Sequence, residues 1–368
     1  MNRISIRLFS AMSASSAPVS SPFTRAVVSS MRTLYPESLA DKSFDNTGLL
    51  LEAPFNPTRR QKNSVLLAID LTKAVADEAI ARKDSVVVAY HPIIFRGLKS
   101  LTFNDTQQQS LLRLAAEGIS VYSPHTAVDA TPGGMGDWLC DVVTGATTPS
   151  SSSLPEPPLK SSSKLYSAPT YPQPGPVSPS SSTIPHNRST IHPSPPPVPS
   201  GLEEAGMGRL VTFDTPQPLT SVIDNIARGV GHPGGIPIAI PQSASVDDIT
   251  IRTVGVCPGS GSSVLMKGVK QIPDLLLTGE MSHHETLFAI ENGSVVVALA
   301  HSNTERGYLK AVMKDKLDQV LKGEWEKTRA EEGKSAMGEV EEVYADDSCE
   351  VHVSAKDRDP YGIMLRRE

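Results

Sequence analysis

Short apolar runs alternate with amphipathic stretches along most of the chain. The runs at 64–69, 85–90 and 295–300 are rich in valine, leucine and isoleucine, which is typical of short buried strands. The stretches at 74–82 and 107–117 have the spacing of amphipathic helices. Strands that alternate with helices in this way predict an α/β fold.

The same pattern assigns an element to most of the remaining chain. The predicted strands cover 49–51, 64–69, 85–90, 119–123, 210–213, 236–240, 253–256, 274–277, 295–300 and 351–353, and the predicted helices cover 23–34, 74–82, 107–117, 137–143, 221–227 and 309–329.

Two stretches interrupt the pattern. Residues 1–21 are rich in serine and alanine and contain arginine, and the first acidic residue of the chain is Glu37, so we expect a mitochondrial leader or a disordered tail. Residues 147–204 are dominated by serine and proline and bury too little apolar surface to fold, so we expect a disordered insert. The sequence therefore predicts two α/β lobes, 22–146 and 205–368, on either side of the insert.

Composition limits the classes of function. The formal net charge is -6 and no long basic block occurs, which argues against direct nucleic-acid binding. No apolar run approaches the roughly 20 residues of a membrane span, so we expect a soluble protein. Cys140, Cys257 and Cys349 are isolated, which indicates reduced thiols rather than disulfides or a zinc knuckle. We expect a mitochondrial location, a cytoplasmic one, or both.

Four polar side chains with metal-binding chemistry follow predicted strands. They are His91, Asp129, His301 and Glu305. Ligands of open α/β sheets bind beyond the carboxyl ends of the strands, so we expect the four side chains to converge there. Imidazole and carboxylate donors without a thiolate suit Zn, Mn or Fe. The sequence therefore predicts a divalent metal centre.

Two further residues are candidates for catalysis. His125 and Glu280 could carry a proton next to the metal. His125 lies four positions before Asp129, so it could instead orient that carboxylate. For Asp45 and Asn46 we favour a role in a turn.

Two features could bind an anion. Arg96 and Lys99 follow His91 and could contact a phosphate. The Gly/Ser-rich turn at 258–263 could present backbone N–H groups, although such turns are also common as plain strand–helix connections.

Five separated motifs together resemble one family. They are Phe-Asp-Asn-Thr-Gly-Leu at 44–49, Tyr-His-Pro-Ile-Ile-Phe at 90–95, His-Thr-Ala-Val-Asp-Ala at 125–130, Leu-Thr-Gly-Glu-Met-Ser-His-His at 277–284 and His-Ser-Asn-Thr-Glu-Arg at 301–306. In this order they resemble the NGG-one-interacting-factor-three-like family, also labelled GTP cyclohydrolase I type 2 homologues.

The resemblance implies two similar α/β lobes of mixed sheet with a dinuclear metal site between them. It also implies assembly into a homo-oligomer, often a hexameric ring. Family members commonly use two consecutive histidines, an aspartate, a later histidine and a bridging glutamate, which correspond to His91, Asp129, His301 and Glu305 here. Tyr90 stands where the first histidine of the pair would be. Tyrosine is a poor ligand for these metals near neutral pH, so we expect one or two ions per chain.

Two functions from different classes fit this resemblance. The first is a metal-dependent hydrolase whose substrate is unknown and could be GTP, another nucleotide or a phosphoester. The second is a non-catalytic interaction or transcription-regulatory factor that contacts a protein partner and has a structural or vestigial metal site.

Overall fold

In the computed structural model, residues 19–149, 166–174, 177–179 and 183–366 are described. Their strands and helices alternate for most of the chain, as the apolar pattern predicts. The strands are β1 (Gly48–Leu51), β2 (Lys62–Ala68), β3 (Asp84–Ala89), β4 (Ser120–Ser123), β5 (Thr147–Pro149), β6 (Val177–Pro179), β7 (His186–Pro193), β8 (Gly206–Pro218), β9 (Ile238–Ala239), β10 (Thr250–Val256), β11 (Leu275–Thr278), β12 (Val295–Ala298) and β13 (Glu350–Val353). The α-helices are α1 (Pro22–Leu34), α2 (Lys73–Arg82), α3 (Thr106–Glu117), α4 (Thr126–Ala130), α5 (Met135–Thr144), α6 (Leu219–Val230), α7 (Ser262–Met266), α8 (His283–Glu291), α9 (Arg306–Tyr308), α10 (Lys314–Glu332) and α11 (Glu339–Ala345).

The first sheet has five strands in the order β1-β4-β3-β2-β13. β4, β3, β2 and β13 run parallel to their neighbours, and only the edge strand β1 pairs antiparallel. All six residues of β3 are buried, as expected for a parallel strand with both faces covered.

The second sheet has six strands in the order β7-β8-β10-β11-β12-β9. Its centre, β10-β11-β12, is parallel, whereas β7, β8 and β9 pair antiparallel. A separate antiparallel pair joins β5 and β6. The predicted α/β architecture of two lobes built on mixed sheets is confirmed.

The two sheets share one apolar core. Its largest cluster includes Val65 and Val88 of the first sheet together with Val254 and Val297 of the second. Trp138 of α5 belongs to the same cluster and is 2% exposed. The two sheets are therefore packed together through a common core.

Strand β7 lies inside the predicted disordered insert of 147–204. It pairs with β8 from His186, opposite Phe213, to Pro193, opposite Gly206. Its side chains are exposed or half-buried, so the strand adds backbone hydrogen bonds at a sheet edge and few apolar contacts. Because β7 buries few apolar side chains, the composition of this stretch did not predict a strand. The predicted disorder at 150–165 lies outside the described residues.

The end of the chain also differs from the predicted division into lobes. β13 belongs to the predicted second lobe, 205–368, but it pairs in parallel with β2 of the first sheet. α10 packs along α1, and the chain then returns to the first sheet. Parallel neighbours in a sheet can come from distant parts of the sequence, so a division of the chain at the insert does not separate the strands of the two sheets.

The start of the chain is described from residue 19. Ser21 caps α1 by accepting a hydrogen bond from the backbone N–H of Thr24. Residues 1–18 of the predicted leader lie outside the described residues. Among the helices of the described ranges, none combines the length and the apolar character that crossing a membrane requires.

The contact between α1 and α10 provides a test of the core. The rings of Phe23 and Trp325 meet edge to face with centroids 5.4 Å apart, and each side chain is 1% exposed. We expect Phe23→Ala to lower the free energy of unfolding by about 3–5 kcal/mol in denaturant titrations, because the lost ring leaves a cavity. The matched control is Phe288→Ala, since Phe288 is 55% exposed. Equal effects of the two substitutions would contradict this packing.

Candidate metal centre

The carboxyl ends of parallel strands from both sheets meet at the lobe boundary. His91 follows β3, and its backbone N–H extends the sheet ladder to the carbonyl of Ile69 at 3.0 Å. His301 opens a 3₁₀ turn after β12, and Glu305 follows the end of that turn. Of the four side chains expected to converge, the structure brings together His91, His301 and Glu305.

The three side chains surround one small volume. Glu305 Oε2 lies 3.5 Å from His91 Nε2, and Glu305 Oε1 lies 3.5 Å from His301 Nε2. The donor atoms of all three residues lie within 4.8 Å of one another. Two ligands with bonds of about 2.0 Å in tetrahedral geometry would be about 3.3 Å apart. The spacing therefore fits a single metal ion.

Glu305 is the buried member of this group. Its side chain is 1% exposed. Within the described part of the chain, its Oε2 atom has no hydrogen-bond partner. A buried carboxylate oxygen without a partner is costly, and a cation between the three donors would satisfy it. Nitrogen and oxygen donors without sulfur suit Zn, Mn or Fe.

Each of the two histidines is held by a carboxylate on its other nitrogen. His91 Nδ1 lies 2.9 Å from Asp70 Oδ1, and His301 Nδ1 lies 3.0 Å from Glu280 Oε1. A proton on Nδ1 leaves Nε2 as the atom that can bind a cation, as in many metal-binding histidines. Burial alone would lower the pKa of His91, but the carboxylates of Glu305 and Asp70 raise it to about 10, so without a cation both ring nitrogens carry protons at neutral pH and a bound cation would replace the proton on Nε2.

Glycine is required where the β10–α7 turn approaches the centre. Gly259 has φ +61°, and a Cβ atom there would lie 2.9 Å from His301 Nε2 and 3.0 Å from Glu305 Oε1. A side chain would therefore occupy the volume between the donors. The sequence left open whether this turn binds an anion or is a plain connection, and Gly259 N–H already donates to Thr304 Oγ1 at 2.9 Å. Gly261 N–H likewise donates to the hydroxyl of residue 278.

His125 lies beside the three-residue group. Its ring centroid is 5.6 Å from that of His91. Asp45 Oδ1 contacts His125 Nδ1 at 2.6 Å. Burial would raise the pKa of Asp45, but the hydrogen bonds from His125 and Thr126 outweigh it and lower the pKa. Asp45, favoured from sequence as a turn residue, thus orients an imidazole.

Asp129 is engaged by Tyr90. The Tyr90 hydroxyl lies 2.9 Å from both carboxylate oxygens of Asp129. Burial and the charge of Asp129 raise the pKa of Tyr90 well above its usual value, so the hydroxyl is a donor. Burial raises the pKa of Asp129 to about 7, although His125 and the Tyr90 hydrogen bond lower it. Among the described residues, Asp129 is not part of the group with His91.

Glu280, predicted to carry a proton next to the metal, lies on the far side of the His301 ring from Glu305. It contacts His301 Nδ1, whereas Glu305 contacts His301 Nε2. This placement suits orientation of the ring better than proton transfer at the metal. The next residues begin α8, where Ser282 and Glu285 form a capping box.

Backbone strain accompanies the centre. His125 has φ +33°, and Ala300, directly before His301, has φ +69°. Such values are uncommon outside glycine and cost about 1–3 kcal/mol each. Strain of this kind concentrates at functional sites, which agrees with the convergence of ligand-type side chains here.

Comparison with known proteins identifies relatives along most of the chain. The family model for Duf34/NIF3 (NGG1p interacting factor 3) matches residues 24–331. The protein NIF3 homolog of Schizosaccharomyces pombe is 41% identical over 304 residues, which are 82% of this chain and 90% of that protein. NGG1-interacting factor 3 of Saccharomyces cerevisiae is 36% identical over 295 residues, 78% of this chain and 88% of that protein.

Solved structures share the fold at low sequence identity. A Bacillus cereus protein related to NIF3 superposes with a TM-score of 0.59 at 19% identity, covering 92% of this chain and 98% of that one. Reduced HcgD from Methanocaldococcus jannaschii gives a TM-score of 0.55 at 19% identity, covering 89% of this chain and 96% of that one. The family resemblance inferred from the five motifs is confirmed.

The hydrogen bond between Tyr90 and Asp129 can be tested by stability. We expect Tyr90→Phe to lower the free energy of unfolding of the metal-free protein at pH 8 by about 1–3 kcal/mol, because a buried carboxylate loses its donor. The control is Tyr35→Phe, which removes a buried hydrogen bond of 2.8 Å between two neutral hydroxyls. That loss should be about 0.5–1.5 kcal/mol. A Tyr90→Phe protein as stable as wild type would rule out this pairing.

Proposed function

Because this chain belongs to the Duf34/NIF3 family, we propose that it is a divalent-metal protein and a metal-dependent hydrolase. His91, His301 and Glu305 are the proposed ligands. The observation that carries the proposal is the buried Glu305 carboxylate between two imidazole Nε2 atoms, with an oxygen that has no hydrogen-bond partner among the described residues. Zn, Mn and Fe are the ions that this set of donors suits.

We propose one ion per chain. A second ion would need Asp129 together with a ligand at position 90. Tyr90 is buried and its pKa is raised well above the usual value, so at neutral pH it keeps its proton and donates to Asp129. This pair supports a mononuclear site in place of the dinuclear one that the sequence resemblance implies.

The surrounding residues support hydrolytic chemistry. When bound, a divalent ion in such a site acts as a Lewis acid toward water and toward a carbonyl or phosphoryl oxygen. Asp45 fixes His125 through Nδ1, which leaves His125 Nε2 to take or return a proton. Glu280 and Asp70 hold the two ligand imidazoles in orientation rather than moving protons.

The substrate class proposed for this site is a small anion. Arg96 and Lys99 are exposed on the segment that follows His91, where they can attract a phosphate group. A phosphoester or a nucleotide, GTP included, fits this charge, and nothing in the site selects a guanine base.

The second candidate is a non-catalytic interaction factor. A yeast relative is named NGG1-interacting factor 3, which favours binding to another protein. In that case the metal would be structural, and assembly into a homo-oligomer, a hexameric ring by family resemblance, would present the contact surface. A metal-loaded protein that binds a partner and turns over no substrate would favour this candidate.

Metal content is the direct test of the proposed ligands. Purified wild-type protein is expected to contain close to one divalent ion per chain by elemental analysis, and His301→Ala should remove it. His352→Ala is the matched control, because His352 pairs with Glu350 on β13 instead of facing the centre. Equally empty wild-type and His301→Ala proteins would end the proposal.

Hydrolysis is tested by filling the centre without removing a ligand. The Cβ atom of Gly259→Ala would lie within about 3 Å of donor atoms of His301 and Glu305, so we expect loss of both metal and activity on a phosphoester and nucleotide panel. Gly293→Ala is the matched control, because Gly293 also has positive φ, +86°, but its Cβ would meet nothing within 4 Å. Both substitutions carry a backbone cost of about 1–2 kcal/mol. Activity retained in Gly259→Ala would exclude hydrolysis at this centre.

A further inference from the structure

The segment after β13 runs directly to the metal centre. β13 is parallel to β2, so the carboxyl ends of both strands lie at the same edge of the first sheet. The backbone N–H of Ser354 continues this pairing to the carbonyl of Leu67 at 2.8 Å. Glu78 of α2 accepts from the backbone N–H of Ala355 at 3.1 Å and fixes the turn that follows.

Asp357 contacts the loop that supports His91. Its carboxylate accepts from the backbone N–H groups of Ile69 at 2.7 Å and Asp70 at 3.3 Å. Asp70 is the residue that holds His91 Nδ1. The Asp357 side chain is 2% exposed and also pairs with the guanidinium of Arg306, which follows Glu305.

Asp359 contacts the loop that supports His301. It is 2% exposed, and its Oδ2 accepts from the backbone N–H of Ser302 at 3.1 Å and from the Ser302 hydroxyl at 2.6 Å. Ser302 directly follows His301. Arg306 donates to the same hydroxyl at 2.7 Å, so the contacts of Asp357 and Asp359 are joined.

From these contacts we infer that Asp357 and Asp359 are positioning residues of the metal centre, and we call the pair the C-terminal clasp. One aspartate fixes the loop behind His91 in the first sheet, and the other fixes the loop behind His301 in the second. The clasp holds the two imidazoles at the spacing that one ion requires. The ligand loops then lose less conformational entropy when the ion binds. It lies beyond residues 24–331, the part of the chain that the family model matches.

The inference rests on the proposed metal site and is tested on the full chain. The variants are Asp359→Ala, Asp359→Asn and Asp357→Asn. The matched control is Asp346→Asn, because Asp346 also lies in the C-terminal region but pairs with Arg60 at 2.8 Å instead of a ligand loop. Zn²⁺ affinity is measured by competition with a chromophoric chelator. The visible spectrum of Co²⁺ bound at the site reports the geometry of the ligands.

We expect Asp359→Ala and Asp357→Asn to weaken Zn²⁺ binding about 10–100-fold, the usual effect of losing a group that orients a ligand. Their Co²⁺ spectra should change in position and intensity. Asp359→Asn keeps one acceptor oxygen and should fall between Asp359→Ala and wild type. Asp346→Asn should stay within about twofold of wild type with an unchanged spectrum, since it touches no ligand loop.

The outcomes separate the clasp from the metal site itself. A wild-type protein that binds no Zn²⁺ overturns both proposals. A wild type that binds Zn²⁺, with Asp359→Ala and Asp357→Asn matching Asp346→Asn in affinity and spectrum, overturns the clasp alone. If Asp359→Ala fails to fold, Ser302→Ala replaces it, because it removes the hydroxyl that donates the 2.6 Å hydrogen bond to Asp359. Unchanged Zn²⁺ affinity and spectrum in that variant would equally overturn the clasp.

Discussion

The burial of the Glu305 carboxylate between two imidazoles is the constraint on which the rest of this structure depends. Removing a charged carboxylate from water costs free energy, and the Glu305 side chain is only 1% exposed. Two histidines from different sheets offset part of this cost. Both imidazoles must then be held firmly, which explains why each has a carboxylate on its far nitrogen. It also explains why only glycine is tolerated at position 259.

Much of the centre could be predicted from sequence, because geometry at strand ends is regular. His91 and His301 each follow an apolar β-branched run, and such runs in an α/β protein place their carboxyl ends at a common edge. The partners Asp70 and Asp45 were harder to recognise. An acidic residue in a turn has a sufficient local explanation, and its contact with a distant histidine has no signature in the local sequence.

The fold shows the same division between local and distant information. The strands of the parallel centre were predicted from their apolar runs. The polar composition of β7 concealed it, and no local pattern indicated that β13 pairs with β2. Tyr90 was only partly understood from the sequence. The sequence revealed that it departs from the family pattern, but only the structure shows that its hydroxyl is bound to Asp129. The tyrosine at position 90 therefore also determines the hydrogen bonding of Asp129, which is far away in the sequence.

The membership of β13 in the first sheet has a consequence for how the chain is made. Ser64 and Glu350 are paired neighbours in that sheet, yet they are far apart in the sequence. During synthesis, β2 emerges from the ribosome long before the strand that covers its outer edge. An uncovered strand edge can pair with other chains, so the nascent protein passes through a period of exposure to aggregation and to chaperones. This sheet has all its strands only after residues 350–353 have been synthesised.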